Sequence, residues 1–179
     1  MKRVSTTYLL ICAAIGVAGA LILLPANWVS TVLFAAAPVA GMALAGVWLL
    51  PAVIALRLVR RPGAGVLTGL VSGIALIPAS GYGFASVATN VWWAFFAEIG
   101  FLILAYRRWH TWQHYLGAAL VGVLYPVLAA EVYQLWALPL SLQIAFFALC
   151  LASCVVGTWL GISVADRLAR AGVARAVRR

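Results

Sequence analysis

Few side chains in this 179-residue sequence have the chemistry of an acid, a base or a metal ligand: the carboxylates of Glu98, Glu131 and Asp166, two histidines and three cysteines. His110 and His114 have the i, i+4 spacing of one helix face, which suits a metal ion, but no nearby Cys, Asp or Glu completes a ligand set. Within "RRWHTWQH" they read instead as part of an interfacial belt with Trp109 and Trp112. Cys150 and Cys154 lie four apart on one helix, a poor arrangement for a disulfide, and with Cys12 they read as small apolar packing residues. No Ser, His and acid form a nucleophilic set, and no Gly-Lys-Ser/Thr loop is present to hold ATP. The sequence therefore predicts no enzyme, no catalytic residue, no metal site and no cofactor.

Glu98 is the exception that needs an explanation. In "NVWWAFFAEIG" it lies deep in an apolar run, about 16 Å from the start of its span at 1.5 Å per residue, near the bilayer centre. A carboxyl there costs on the order of 2.5 to 3.5 kcal/mol, so it is expected to face the bundle interior and to have a partner. No Lys or Arg lies at that depth, which leaves polar side chains, a proton or a ligand. At 100° per residue Asn90, Ala94, Ala97 and Glu98 share one stripe, with Trp93 at its edge and Trp92 opposite. A protonated carboxyl bonded to a neighbouring helix accounts for this pattern, and so does a ligand site, which we favour. One span later Tyr125, Ala129, Val132, Tyr133 and Trp136 cluster within about 80°. These aromatics could stack a flat ligand or form an ordinary aromatic belt.

The elements that must position these residues are membrane helices. The chain is 66% hydrophobic and only 8% charged, contains eight Trp, and has a mean hydropathy of +1.12. Apolar runs predict six transmembrane helices near 7–24, 30–56, 64–80, 86–105, 115–132 and 141–164, in one domain over 1–179 with no linker. The second run is long and holds Pro38 and Pro51, so tilt or a break is expected; the third is short and could dip rather than cross. With both termini cytoplasmic, all twelve basic residues fall on one side, in segments 1–6, 57–63, 106–114 and 165–179. They are Lys2, Arg3, Arg57, Arg60, Arg61, Arg107, Arg108, Arg167, Arg170, Arg175, Arg178 and Arg179; the opposite loops, 25–29, 81–85 and 133–140, hold none. The positive-inside rule is met by six spans, whereas five or seven would scatter the clusters.

Arg60 and Arg61 thus hold a cytoplasmic turn that Pro62 and Gly63 make tight. Asp166 reads as part of a solvated cluster with Arg167 and Arg170, and Glu131 as reaching the outer interface. The net charge of +9 lies in short flanking clusters rather than along an amphipathic face, which argues against nucleic acid as a partner. Ala18-Gly-Ala20 resembles a signal-peptide cleavage site, but cutting there leaves an apolar Leu-Ile-Leu-Leu end, so the segment reads as the first membrane helix. That helix carries small-xxx-small pairs, Ala14 with Ala18 and Gly16 with Ala20, which suit internal packing or a docking surface for another membrane subunit.

"GVWLLPAVIALRLVRRPGAG" (Gly46 to Gly65) and "FFAEIGFLILAYRRW" (Phe95 to Trp109) resemble the YkoE-type substrate-binding S component of energy-coupling factor (ECF) vitamin transporters. The resemblance covers about residues 46 to 136 through a Gly-x-Trp, an Arg-basic-Pro-Gly-Ala turn and an Ala-Glu on the fourth helix. It implies capture of thiamine or its hydroxymethylpyrimidine precursor from the outer side of a prokaryotic cytoplasmic membrane. It also implies a transmembrane coupling protein and two cytoplasmic ATPases as partners, with the small-residue face of helix one toward the coupling protein. Glu98 matches the family's helix-four acid, and the ligand would also meet Asn90, Trp93, Tyr125, Tyr133 and Trp136. Two positions depart from the family's pattern: Gly69 stands where an acidic residue is common, and Trp93 where a Gln is. An aromatic or cationic vitamin fits an indole at that place through stacking or cation–π contact. The alternative is a stand-alone helical carrier or a structural membrane subunit.

Overall fold

The computed structural model describes residues 5–173, which leaves Lys2, Arg3, Arg175, Arg178 and Arg179 outside the described residues. It is all-helical, with six helical segments: α1 (Thr6–Ala36), α2 (Pro38–Val59), α3 (Ala64–Leu76), α4 (Ala85–Ile103), α5 (Thr111–Ala129) and α6 (Leu140–Arg170). Helices α1, α2, α4 and α6 are long and apolar enough to cross a membrane. The 31 residues of α1 and of α6 make each about 46 Å long at 1.5 Å per residue, well beyond the hydrocarbon core. The 13 residues of α3 reach only about 20 Å, so this helix does not cross on its own.

The first reversal falls at Ala37 and not at 25–29, where the sequence suggested an outer loop. α1 runs unbroken through Pro25, and Asn27 and Ser30 are buried on it. Ala37 leaves the helical region (φ −152°, ψ 81°) because Pro38 follows it, and the proline ring disfavours helical backbone in the residue before it. α2 then opens with a short α turn, Pro38–Gly41, continues as a 3₁₀ stretch over Met42–Leu49, and becomes α-helical over Leu50–Val59. A serine from α6 explains the 3₁₀ stretch. The Ser153 hydroxyl accepts a hydrogen bond from Gly46 N (2.9 Å) and donates one to Ala43 O (2.6 Å). It thus stands between the donor and acceptor of a 3₁₀ pair. The serine can come so close because Gly46 has no side chain: a Cβ there would collide with the Ser153 backbone, and one on Gly157 would collide with Gly46.

The small residues of α1 divide between two faces. Gly16 and Ala20 are buried, and a Cβ on Gly16 would lie 2.7 Å from that of Val71 on α3, so this pair serves internal packing. Ala14 and Ala18 face outward.

Arginines gather at one end of the bundle. Arg60 closes α2 in the left-handed region (φ 50°), Gly63 follows at φ 77°, and the turn is held by the Tyr8 hydroxyl, which donates to Pro62 O (3.1 Å). Arg61 stacks over the Tyr8 ring. Arg57 forms a two-pronged ion pair with Asp166 (Nε–Oδ1 2.8 Å, Nη2–Oδ2 3.1 Å) and donates to Thr111 Oγ1 (3.2 Å). Asp166 thus sits in a half-exposed charge cluster that includes Arg170, as expected, but its direct partner is Arg57 on α2, and that contact ties α2, α5 and α6 together.

This arrangement predicts a sidedness. In a background lacking Cys12, Cys150 and Cys154, single cysteines at exposed Arg61 and Arg108 stay unlabelled by an impermeant thiol reagent added outside, while one at exposed Ala137 reacts. Labelling at position 61 in intact cells would overturn the assignment.

Candidate ligand-binding site

At the end opposite the arginines a cavity of about 220 Å³ opens between α1, α2, α4 and α5. Its polar lining is Asn27, Ser30, Ser86, Thr89 and Asn90, and its rings are Phe34, Trp48, Tyr82, Trp93, Tyr125 and Tyr133. Among the described residues no carboxylate, imidazole, thiol or cation lines it.

Each wall follows from local structure. Asn27 and Ser30 are one turn apart on α1, and the hydroxyls of Ser30 and Thr31 bond back to Asn27 O (2.8 and 2.9 Å), which satisfies them inside the helix. On α4, Asn90 Nδ2 donates to Ser86 O (2.8 Å), and Ser86 Oγ pairs with Ser80 Oγ. The 3₁₀ geometry of α2 places Ala45 and Trp48, three residues apart, in one column on the cavity wall. Trp93 is the hub of the rings, with centroids 4.8 Å from Tyr125, 5.5 Å from Trp92 and 6.1 Å from Trp48. Phe34 stacks on Tyr133 at 4.8 Å. Offset and edge contacts of this kind hold the rings in fixed orientations.

Of the residues singled out from sequence, the structure brings Asn90, Trp93, Tyr125 and Tyr133 together on this cavity. Trp136 is not among them: it is exposed on a short 3₁₀ turn, Leu135–Ala137. Glu98 lies elsewhere. Its Oε1 accepts from Gly63 N (2.5 Å) and its Oε2 from Val66 N (3.0 Å), so the carboxylate caps the N-terminus of α3 near the arginine end. The partner that the sequence reading sought among side chains and ligands is the backbone of a helix too short to cross. Free N–H groups and the positive end of the helix dipole favour a carboxylate there. Tyr106, in the loop after α4, adjoins this site, and burial and then the Glu98 charge push its hydroxyl up to about 12.

His110 and His114 do not converge. His110 is exposed, whereas His114 is buried with its ring edge on Phe101 (4.8 Å between centroids), and among the described residues no three His, Cys, Asp or Glu cluster as a metal site would require. Sequence reasoning missed Asn27, Ser30, Phe34, Trp48, Tyr82, Ser86 and Thr89 as lining residues. The Gly46-x-Trp48 motif was the available signal, since Gly46 admits α6 and Trp48 faces the cavity.

The profile of the family described as "ABC-type cobalt transport system, permease component" matches residues 8–124. The chain belongs to that family. A solved structure titled "Crystal structure of an S-component of ECF transporter" is similar with a TM-score of 0.85 and 20% identity, over 96% of this chain and 89% of that one. The fold is accordingly that of an ECF S component. No curated protein matches the sequence. The family and the fold are those of multi-pass membrane transporter components, not of enzymes.

The capping geometry predicts the behaviour of Glu98→Gln. The amide oxygen can still accept one N–H, but the amide nitrogen then meets the second donor. Stability is expected to fall by about 1.5 to 3 kcal/mol, as for a lost charge-assisted bond, with ligand affinity unchanged. Thermal melts and ligand titrations of the purified variant check both halves.

Proposed function

We propose that this chain is the substrate-binding subunit of an ECF-type ATP-driven importer in a prokaryotic cytoplasmic membrane, capturing thiamine or its hydroxymethylpyrimidine precursor from the outer side. The observation that carries the reading is the uncharged, ring-walled cavity at the end of the bundle away from the arginines, which the positive-inside rule puts outside. A void of about 150 Å³ accommodates a benzene ring, so about 220 Å³ has room for a substituted single ring such as the pyrimidine. In thiamine the thiazolium would extend toward the mouth, where rings rather than carboxylates receive its charge. Asn90, Trp93, Tyr125 and Tyr133 are the proposed contacts.

The family's description names cobalt. A cobalt ion as cargo calls for imidazole, thiolate or carboxylate ligands, and the lining offers amides, hydroxyls and rings instead. An organic aromatic ligand fits that donor set better.

The chain has no nucleotide-binding loop, so in this scheme energy comes from two cytoplasmic ATPases through a transmembrane coupling protein. The outward Ala14 and Ala18 on α1 are the proposed docking surface, since small residues let helix backbones approach closely. The turn at Arg60, Arg61, Pro62 and Gly63 lies on the cytoplasmic face.

Two measurements test the proposal. Tryptophan fluorescence of the purified protein should respond to thiamine and hydroxymethylpyrimidine but not to Co²⁺, and Trp93→Ala should weaken the response by about 1 to 3 kcal/mol, the usual worth of a stacking ring. Saturable Co²⁺ binding with no response to either pyrimidine would overturn it. Ala18→Trp should abolish cellular uptake while leaving binding by the isolated subunit intact; parallel loss of both would make that face structural.

A further inference from the structure

Two amides that line the cavity from different helices, Asn27 on α1 and Asn90 on α4, differ in what holds them. Asn90 is 4% exposed, and its Nδ2 donates to Ser86 O at 2.8 Å. A carbonyl oxygen can only accept, so the end of the amide beside it must be the nitrogen, and the group cannot flip without losing that bond. Among the described residues its Oδ1 has no hydrogen-bond partner, and one N–H remains free. Asn27 is 3% exposed and lines the same cavity, but among the described residues its side chain has no hydrogen-bond partner, while its backbone carbonyl accepts from Ser30 and Thr31. Among the described residues the sealed side-chain atoms without a partner are His114 Nδ1 and Thr158 Oγ1, so the unpaired amide atoms of Asn27 and Asn90 are open to the cavity, where a ligand can meet them.

We infer that Asn90 is a fixed reader that selects an amino-bearing heteroaromatic ring over its oxo counterpart, while Asn27 is an adaptable amide that binds either. This inference rests on the reading of the cavity as the ligand site. The anchored Asn90 presents an acceptor, Oδ1, next to a donor N–H. An aminopyrimidine edge offers the complement, an exocyclic amine that donates beside a ring nitrogen that accepts, just as asparagine pairs with the N6/N7 edge of adenine. The oxo form reverses the pattern, with a carbonyl that accepts beside a ring N–H that donates. A free amide meets that reversal by rotating half a turn about its last bond. Asn90 cannot do so while Ser86 O holds its nitrogen, and the oxo ligand leaves two donors and two acceptors facing each other. Sites built around a specific hydrogen bond reject the mismatched analogue strongly for this reason. The residue is thus made selective by a backbone carbonyl one turn earlier on its own helix.

The test compares thiamine with oxythiamine, and hydroxymethylpyrimidine with its 4-oxo analogue, by fluorescence titration of the full chain in detergent. Wild type is expected to prefer each amino form by about tenfold or more. Asn90→Leu should lose most of the amino form's affinity and with it the preference. Asn27→Leu should weaken amino and oxo forms by similar factors, leaving the preference in place. Thermal melts show that each variant is folded, and the wild-type comparison needs no variant at all. Binding of amino and oxo forms by wild type within about twofold, or a preference that survives in Asn90→Leu, would overturn the assignment to Asn90 while leaving the cavity as the site. If wild type binds none of the four compounds, the cavity reading fails and this inference fails with it.

Discussion

A helix that ends inside a membrane protein must find partners for its first N–H groups without the help of water, and α3 finds them in one carboxylate. Glu98 takes the N–H groups of Gly63 and Val66, and this contact sets where α3 begins relative to α4. The register then propagates upward. A Cβ on Gly69 would lie 2.5 Å from that of Ala94, and one on Gly73 would lie 2.6 Å from Val87 Cα, so the two helices are nearly in backbone contact along α3. Trp93 and Asn90, about one and two turns from Glu98 on the same helix, line the cavity.

The count of helices was legible because it depends on solvent. Lipid demands long apolar runs, and the side with arginines follows from their clustering, so neither needs knowledge of packing. The first boundary was not legible for the opposite reason. Pro25, Asn27 and Trp28 form a typical turn sequence, and only the cavity beside them explains why a helix keeps an asparagine there. The face of α4 that carries Asn90, Ala94, Ala97 and Glu98 was correctly read as buried, and all four are. What periodicity could not supply was the identity of the neighbour: a backbone terminus leaves no side-chain signature, and Glu98 was given to a ligand as a result. The same limit split the small residues of α1, since Gly16 and Ala14 look alike as letters but face α3 and the exterior respectively.

The cavity also separates two uses of polarity. The arginines lie at the far end, where Arg57 and Asp166 link three helices, while the cavity itself is lined by neutral amides, hydroxyls and rings. Neutral groups are cheaper to keep dry when no ligand is bound, and they discriminate by direction rather than by charge.

The 3₁₀ stretch of α2 has a mechanical side. Eight residues at about 2.0 Å each are roughly 4 Å longer than the same residues in α geometry, and over the three steps from Ala45 to Trp48 the two winds differ by about 60°. The stretch is in effect a screw held part-turned, with the Ser153 hydroxyl as its locking pin. Without the pin, unwinding into the shorter α geometry would draw Pro38 toward Pro51 and swing the Trp48 indole around the helix axis, off the wall it now forms.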